Sequence, residues 1–282
     1  MRRPIAFVAA IAALILLLTI AIGVRNGRAD PVLRSAAIGL PDWPRGAPPV
    51  RVMLLSDLHY GNLSTDRARL ERVVAAVAAA RPDIVLIAGD LLAGYDQRAT
   101  PARAQVIAAA LSRLAPPLGT FVVFGNHDEE AGAALRGPLI AAGIHAEDNV
   151  AVRAGPLGLG LAGDTSAGTA QLGPVYVGLD KLAWRAPLAR VFVTHSPDLV
   201  QFLPADHALL LAGHTHCGQI VLPLIGPVMT VSRINGNRYR CGLIREGGRI
   251  IVVSAGIGTS NVPLRFGAPP DMWLLTLGPV SR

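Results

Sequence analysis

The chain has 282 residues, of which 51% are hydrophobic and only 16% are charged, and its formal net charge is +7 at pH 7. So few charged residues exclude a disordered polyelectrolyte, and two cysteines are too few for the disulfide framework of a small secreted scaffold. The composition indicates a globular protein with a large core, either one large domain with an attachment or two small domains.

The first predicted element is a membrane-spanning helix. The 20 residues of Ile5–Val24 include no charged side chain and one hydroxyl, that of Thr19. As a helix this run rises about 30 Å, the thickness of the hydrocarbon core of a bilayer. A cleaved signal peptide is the alternative, but the run is long for its apolar region and no small-x-small cleavage site follows. We therefore predict an uncleaved membrane anchor with its linker at residues 1–30, and one folded domain at residues 31–282.

Charges flanking this helix do not decide its orientation. Arg2 and Arg3 stand on one side with the amino terminus, and Arg25, Arg28 and Arg34 stand on the other, which is close to a tie under the positive-inside rule.

The remaining positive charge is scattered, with no basic run interleaved with aromatic residues of the kind that single-stranded nucleic acid requires. Nucleic-acid binding is therefore not expected.

Short apolar runs and helical stretches alternate through the first half of the domain. The strand candidates there are Val32–Leu40, Val50–Ser56, Asp83–Ala88 and Gly119–Phe124, and the helix candidates are Asp66–Ala80, Ala102–Leu114 and a stretch around Ala131–Ala142. The second half offers strand candidates with few helices between them: Val150–Arg153, Leu157–Ala162, Arg190–Thr194, Ala208–Ala212, Tyr239–Ile244, Arg249–Ser254 and Trp273–Leu277. This order predicts an α/β fold in which two packed sheets are flanked by helices.

The residues that directly follow the apolar runs carry the chemical information. Five runs end in segments that contain Asp, Asn or His, and five of the seven histidines lie in these segments. The segments are Ser56-Asp57-Leu58-His59, Gly89-Asp90, Gly125-Asn126-His127-Asp128, His195 and Gly213-His214-Thr215-His216. Strand ends that meet at one edge of a sheet are where such folds keep their sites, so we predict a single site there.

Residue types and spacing in these segments favour a metal site. Asp57 and His59 are two residues apart, as are His214 and His216, so in an extended chain each pair points the same way. The donors are oxygen and imidazole nitrogen without thiolate, which suits Mn, Fe or Zn and is poor for a structural zinc. Each segment alone is more often a cap, a turn or a surface pair. Their joint occurrence, always after an apolar run, makes that interpretation improbable.

Together the five segments resemble the motif blocks of the calcineurin-like metallophosphoesterases, over roughly residues 50–218. The tail from Ala255 to Gly267 resembles a narrower bacterial group, the membrane-anchored YaeI- and YkuE-type phosphodiesterases. The resemblance implies a four-layer α/β/β/α sandwich, here preceded by one N-terminal transmembrane helix. It also implies two divalent metal ions (Mn, Fe or Zn) and a single-pass anchor in a bacterial inner (cytoplasmic) membrane, with the side of the catalytic domain undecided.

The same resemblance implies a role for each site residue. The implied ligands are Asp57, His59 and His216 for the first metal, Asn126, His195 and His214 for the second, and Asp90 as the bridge. His127 resembles the non-ligand histidine that stabilises the transition state or protonates the leaving group, with Asp128 orienting it. A hydroxide held between the two metals would attack phosphorus.

Three further features stay open at this point. Arg265 is the cation expected to bind substrate phosphate, although a solvated arginine fits equally well. Cys217 stands where this group usually has Gly; it is a small buried residue, a modulator of the metal site, or the disulfide partner of Cys241 in an oxidising compartment. The apolar segment Leu222–Val228 is either a plain hairpin or the lining of an apolar channel beside the site.

The predicted function is metal-dependent hydrolysis of a phosphodiester or pyrophosphate, on a membrane-associated or lipid-linked substrate such as UDP-2,3-diacylglucosamine. That substrate is cytoplasmic, so an exported domain would exclude it. One alternative is a catalytically silent, membrane-tethered metal-binding scaffold, against which the intact ligand positions argue. The other is a metal-dependent nuclease, against which the missing basic, aromatic-lined groove argues.

Overall fold

The computed structural model of the protein describes residues 2–204, 209–229, 231–232 and 234–280. It begins with helix α1, Arg2–Gly27, which contains the predicted membrane segment. The part from Phe7 to Gly27 is long and apolar enough to cross a membrane, and almost none of it is buried. Its last turn packs on the rest of the chain, where the backbone N–H of Arg265 donates to the carbonyl of Gly23 at 3.0 Å.

The remaining helices and strands agree with the predicted order, with one further helix and three further two-residue strands. The further helices are α2 (Arg67–Ala79), α3 (Thr100–Leu111), α4 (Ala133–Ala141) and α5 (Leu172–Arg185). The strands are β1 (Val32–Leu40), β2 (Val50–Leu55), β3 (Ile84–Ala88), β4 (Thr120–Val123), β5 (His145–Ala146), β6 (Val150–Ala154), β7 (Leu157–Leu161), β8 (Ala189–Val193), β9 (Leu209–Ala212), β10 (Val221–Leu222), β11 (Gly226–Pro227), β12 (Gly242–Glu246), β13 (Arg249–Val253) and β14 (Asp271–Pro279). Ala208, the predicted start of β9, lies outside the described residues, as do Met1, Ser281 and Arg282.

Two six-stranded sheets pack face to face. Their strand orders are β1-β14-β2-β3-β4-β5 and β12-β13-β9-β8-β7-β6. Between them lies a hydrophobic core to which both sheets contribute, including Val52, Leu54, Leu86, Leu159, Val191 and Leu211. Helices α2, α3 and α4 cover the outer face of the first sheet, and α5 covers the second. The predicted four-layer α/β/β/α sandwich is therefore confirmed.

Parallel pairing places the carboxyl ends of the strands that precede the candidate site residues at a common edge of the sheets. Strands β2, β3 and β4 run parallel in the first sheet, and β7, β8, β9 and β13 run parallel in the second. Strand β3 is apolar and buried at every position, as expected for a strand covered on both faces. The loops that leave these strands emerge together, which positions the candidate site.

Helix α5 was not expected from the sequence, because Gly173, Pro174 and Gly178 all lower helix propensity. Pro174 is tolerated because it lies in the first turn, where its missing N–H needs no partner. At Gly178 the helix packs so closely on β6 that a Cβ atom would lie 2.7 Å from the Cβ of Ala151. A second difference is the strand predicted at Tyr239–Ile244, which begins only at Gly242.

Candidate metal centre

The chemically active side chains predicted from the sequence meet at one edge of the sheets, around a cavity of about 310 Å³. Each group follows a strand: Asp57 and His59 follow β2, Asp90 follows β3, Asn126, His127 and Asp128 follow β4, His195 follows β8, and His214 and His216 follow β9. Most of these side chains are buried; Asn126 is exposed, and His127 and His214 are partly buried.

The backbone turns these side chains inward by an unusual conformation. Five of the seven predicted metal ligands have positive φ angles: Asp57 (52°), His59 (45°), Asp90 (54°), His214 (69°) and His216 (49°). This left-handed region is costly for residues with a Cβ atom, and such residues cluster at functional sites. The expectation that each Asp-x-His or His-x-His pair converges in extended chain is therefore wrong, because the convergence comes from tight turns after each strand.

One cluster of donors is formed by Asp57, His59 and His216. Nε2 of His216 lies 3.3 Å from Oδ1 of Asp57 and 3.1 Å from Nε2 of His59. The donor atoms of all three residues lie within 4.8 Å of one another. Among the described residues Oδ1 of Asp57 has no hydrogen-bond partner although it is buried. A buried carboxylate oxygen without a donor, facing two imidazole nitrogens, fits a cation.

A second cluster adjoins the first through Asp90. Oδ2 of Asp90 lies 3.5 Å from Nε2 of His59 and 3.3 Å from Nε2 of His195. The same nitrogen of His195 lies 3.1 Å from Nδ1 of His214. Asn126 lines the same cavity, and its Oδ1 accepts a hydrogen bond from the hydroxyl of Ser166 at 3.3 Å. Asp90 thus stands between two groups of ligands, as expected for a bridging carboxylate.

Burial sets the protonation of the ring nitrogens. Burial lowers the pKa of His59 to about 3, and burial together with the neighbouring His195 lowers the pKa of His214 to about 4. Both rings are therefore neutral at physiological pH, with a lone pair free for a metal ion. Burial opposes the charge on His195 as well, but the carboxylate of Asp90 outweighs it and holds the pKa of His195 well above its usual value.

Burial acts on the carboxylates in the opposite sense. Burial raises the pKa of Asp57 to about 6. The positive charge of His195 opposes this shift, and the negative charge of Asp90 adds to it. For Asp90 the attraction and the hydrogen bond of His195 overcome burial, so its pKa lies below the usual range. Two carboxylates so close together, and so deeply buried, favour bound positive charge. The donor set of carboxylate, amide oxygen and imidazole fits two divalent cations of the kind that do not require thiolate ligands.

His127 lines the cavity, and both of its ring nitrogens have polar neighbours. Its Nδ1 lies 3.1 Å from the carbonyl oxygen of Ala93, which fixes a proton on that nitrogen. Its Nε2 lies 3.4 Å from the hydroxyl of Ser260. The ring stands edge-on to His59, and with His59 and Asp90 it forms another group of donors within 4.8 Å.

Asp128 does not contact the ring of His127, so the expectation that it orients that ring directly is corrected. Its buried carboxylate accepts hydrogen bonds from the backbone N–H groups of Leu91, Leu92 and Gly125, at 3.0–3.2 Å. Burial, reinforced by Asp90, raises its pKa to about 7. The carboxylate ties together the loops after β3 and β4. By holding Leu92, the residue before Ala93, it supports the carbonyl that contacts the ring of His127.

Arg265 is completely buried, and the prediction that it contacts substrate phosphate is wrong. Its guanidinium donates to the main-chain carbonyls of Gly258, Ala255 and Ala268, and Nη2 lies 3.2 Å from Nδ1 of His216. None of its donors is left for a ligand in the cavity. The residue supports the site from behind.

Of the alternatives for Cys217, the structure shows the disulfide with Cys241. The bridge joins the residue after His216 to the residue before β12, across 24 positions of sequence. Cys217 itself has φ 54°. The cross-link therefore holds the tight turn that presents His216.

Gln219 and Ser260 were missed from the sequence. The side chain of Gln219 accepts from the backbone N–H of Ser260 at 2.8 Å and donates to the carbonyls of Ser260 and Val262 at 3.0 Å. It thereby fastens the segment that carries Ser260 and Val262 along the cavity. The sequence signal that could have identified Gln219 was its position three residues after His216 and directly after Gly218.

Comparison with known proteins agrees with this geometry. The family described as calcineurin-like phosphoesterase matches residues 50–218. The chain is 30% identical to the metallophosphoesterase YkuE of Bacillus subtilis (strain 168), over 83% of this chain and 81% of that protein. It is 31% identical to the phosphodiesterase YaeI of Escherichia coli (strain K12), over 82% and 83%. It is 26% identical to a transmembrane protein with a metallophosphoesterase domain from Danio rerio, over 90% of this chain and 59% of that protein.

Proposed function

Because this chain belongs to the calcineurin-like phosphoesterase family and is a metal-dependent phosphoric ester hydrolase, we propose that it cleaves a phosphodiester or pyrophosphate carried by a membrane lipid. The observation that carries the hydrolytic part is Asp90 Oδ2, which lies within 3.5 Å of a histidine from each ligand cluster. A carboxylate shared in this way suits two cations, which the family uses.

In the proposed mechanism, the residues of the two clusters would hold the cations, and His127 would donate a proton to the leaving oxygen. Asp57, His59 and His216 would hold one cation, Asn126, His195 and His214 would hold the other, and Asp90 would be shared between them. When bound, two divalent cations neutralise phosphate charge and activate a water molecule at neutral pH. His127 donates its Nδ1–H to the carbonyl of Ala93 and acts as an imidazolium, so that it gives the proton on Nε2 to the leaving oxygen and is left as the neutral ring.

Support for a lipid comes first from the cavity wall. The cavity is lined by candidate ligands and also by the apolar side chains of Ile220, Val228, Met229, Val231 and Val262. A phosphate monoester of a small polar alcohol has nothing to place against those five side chains. A phosphate bonded to an apolar group suits both kinds of residue, and burying apolar area there stabilises binding by about 25 cal/mol per Å².

Support also comes from the placement of helix α1. Its last turn packs on the segment 263–266, directly after the cavity residues Ser260 and Val262, so a membrane that holds α1 lies beside the site. The zebrafish relative is named a transmembrane protein. We therefore propose a single-pass anchor in a bacterial inner membrane.

The disulfide supports a side of that membrane. Structural disulfides persist in oxidising compartments and are rare in the bacterial cytoplasm. With Cys217 and Cys241 bridged, we propose that the catalytic domain lies outside the cytoplasm, with Arg2 and Arg3 inside. This placement argues against UDP-2,3-diacylglucosamine, the example considered from the sequence, and favours a lipid-linked phosphoester that is present on the outer side.

The test uses the full chain in nanodiscs loaded with Mn²⁺. We expect cleavage of bis-p-nitrophenyl phosphate and of a phospholipid or polyprenyl diester embedded in the disc, with weaker cleavage of p-nitrophenyl phosphate. Cleavage of the soluble diester alone would contradict the lipid substrate. Metal binding without cleavage of any phosphoester would favour the scaffold alternative.

Orientation is measured separately in spheroplasts. The substitution Trp184→Cys introduces a thiol on α5 at a side chain that is 92% exposed. We expect a membrane-impermeant maleimide to label it without lysis. Labelling that requires lysis would place the domain in the cytoplasm and return UDP-2,3-diacylglucosamine to consideration.

A further inference from the structure

A short hairpin beside the cavity exposes apolar side chains to an unusual degree. Strands β10 and β11 pair around a turn at residues 223–225, and we call residues 220–229 the apolar hairpin. Leu224 at its tip is fully exposed and Ile225 is 77% exposed. Val228 and Met229, which follow β11, are each more than half exposed. The structure thus shows a hairpin, and its end also lines the cavity.

The composition of this segment does not fit a water-facing loop. From Gly218 to Met229 there is no charged residue, and the only polar side chain is that of Gln219. Loop tips in water are usually built from Gly, Asn, Asp and Ser, whose side chains bond the backbone or the solvent. Contiguous exposed apolar patches on soluble proteins generally mark a surface that contacts protein or membrane.

The position of the hairpin decides between these partners. The backbone N–H of Val221 donates to the carbonyl of Phe266 at 2.8 Å, and that of Phe266 donates to Gln219 at 3.0 Å. The ring of Phe266 in turn packs on Gly23 of α1, where an added Cβ would lie 2.6 Å from the ring. A single side chain therefore separates the base of the hairpin from the end of the apolar helix.

We propose that the apolar hairpin inserts into the bilayer leaflet beside the end of α1, and that its partner is the lipid of that leaflet. The proposal rests on the proposed function insofar as α1 is the membrane anchor. Two membrane contacts on either side of Phe266 fix the tilt of the domain, which one helix alone does not do. Because Val228 and Met229 belong to both hairpin and cavity wall, the cavity mouth then opens at the membrane surface.

This orientation gives a lipid substrate a short path. Its phosphate reaches the ligand clusters while the attached chain stays among the apolar side chains of the hairpin and the leaflet. This orientation would place Arg25, in the last turn of α1, and Arg28, directly after the helix, at the depth of the lipid phosphates, where positive side chains are favourable. A soluble diester needs none of these contacts. Loss of the hairpin's apolar side chains should therefore affect cleavage of a lipid substrate and not cleavage of a soluble diester.

The direct test measures the depth of the hairpin tip. The full chain carrying Ile225→Cys is labelled with an environment-sensitive fluorophore and reconstituted into phosphatidylcholine vesicles that contain nitroxide-labelled lipid. Both native cysteines are bonded to each other and do not compete for the label. The matched control is Trp184→Cys on α5. We expect the nitroxide to quench the label at position 225 several-fold more than the label at 184, as for other interfacial anchors.

Two results would overturn the proposal. Equal quenching at 225 and 184 would mean that the hairpin lies in water. Self-quenching between labels at 225, which disappears when labelled protein is diluted with unlabelled protein, would mean that a second copy of the chain covers the patch.

A functional test uses paired substitutions. We expect Leu224→Ser with Ile225→Ser to lower the cleavage of a vesicle-embedded diester about tenfold and to leave cleavage of soluble bis-p-nitrophenyl phosphate unchanged. Val177→Ser on α5 is the control for loss of an exposed apolar side chain. Equal loss on both substrates would contradict a membrane role. If the unsubstituted protein cleaves neither substrate, the proposed function fails, while the quenching result still decides where the hairpin lies.

Discussion

Nη2 of Arg265 lies 3.2 Å from Nδ1 of His216, while Nε2 of the same ring faces Oδ1 of Asp57 at 3.3 Å. The imidazole is thus held from behind by a buried cation and presents its other nitrogen to the ligand cluster. Burial, His59 and Arg265 together lower the pKa of His216 well below its usual value, so the ring is neutral. Arg265 is therefore a positioning residue for a candidate metal ligand.

The substitution Arg265→Lys tests that role. Lysine cannot reach three carbonyls and the ring at once, so buried acceptors lose their donors, at a cost of about 1–3 kcal/mol each. We expect the Mn²⁺ concentration for half-maximal activity to rise about tenfold or more, with the KM for bis-p-nitrophenyl phosphate at saturating Mn²⁺ unchanged. A raised KM with an unchanged metal requirement would restore the role of substrate contact.

Replacement of His127 should separate proton transfer from metal binding. We expect His127→Gln to lower kcat for a diester by about 10²–10⁴, because general acid catalysis contributes that much, and to leave the metal content at two ions per chain. His145 offers the control, since it is an exposed histidine stacked on Phe121, away from the cavity. His145→Gln should retain full activity. Loss of bound metal in His127→Gln would reclassify His127 as a ligand.

Replacement of Asp90 should affect both ions together. We expect Asp90→Asn to lower kcat by at least about 10³ and to reduce the metal content, measured by elemental analysis, below one ion per chain. Chelation of the unsubstituted protein should lower Tm, because Asp57 and Asp90 are then buried without a cation. Asp42→Asn, at an exposed position, is the control. Retention of one full ion in Asp90→Asn would mean that Asp90 serves a single site.

Asp148 should make stability depend on pH. Burial raises its pKa to about 6, although the backbone N–H of Phe124 and the guanidinium of Arg136 oppose the shift. The folded state then binds the proton more tightly than the unfolded state, whose pKa is 3.8. This contribution to stability is full below pH 4 and is lost as the pH rises through 6, by on the order of 2–3 kcal/mol.

The measurement compares Asp148→Asn with the unsubstituted protein. Asn is neutral throughout, so we expect the difference in their free energies of unfolding to change between pH 4 and pH 7, in favour of the variant at the higher pH. Parallel pH profiles would show that Asp148 has an ordinary pKa in the folded protein.

Most of the fold and the identity of the clustered side chains could be predicted, because both depend on local patterns. Apolar runs such as Ile84–Ala88 indicate buried strands, and the polar residue after each run marks the sheet edge. Helix α5 could not be predicted because the close contact with Ala151 leaves no room for a side chain at position 178, so a glycine stands inside the helix. A contact between distant parts of the chain is not visible in a local sequence pattern. Tertiary packing overrides propensity there.

The role of Arg265 shows another limit of local patterns. An arginine that binds phosphate and one that donates to buried carbonyls are the same letter in a sequence. Only the fold shows that Gly258, Ala255 and Ala268 surround it. The positive φ angles of Asp57 and His59 were equally hidden, since these residues rarely adopt them without surrounding constraints. Likewise, spacing could not choose between a free and a bridged Cys217.

The last strand of the chain is not at an edge. Strand β14 lies between β1 and β2, parallel to the first and antiparallel to the second. Every candidate ligand precedes β14 in the sequence, so the sheet that carries Asp57 and His59 closes only after the chain has been made as far as this strand. A chain that stops before residue 271 is therefore expected to lack the strand that joins β1 to β2, and with it the support of the turn that carries Asp57 and His59.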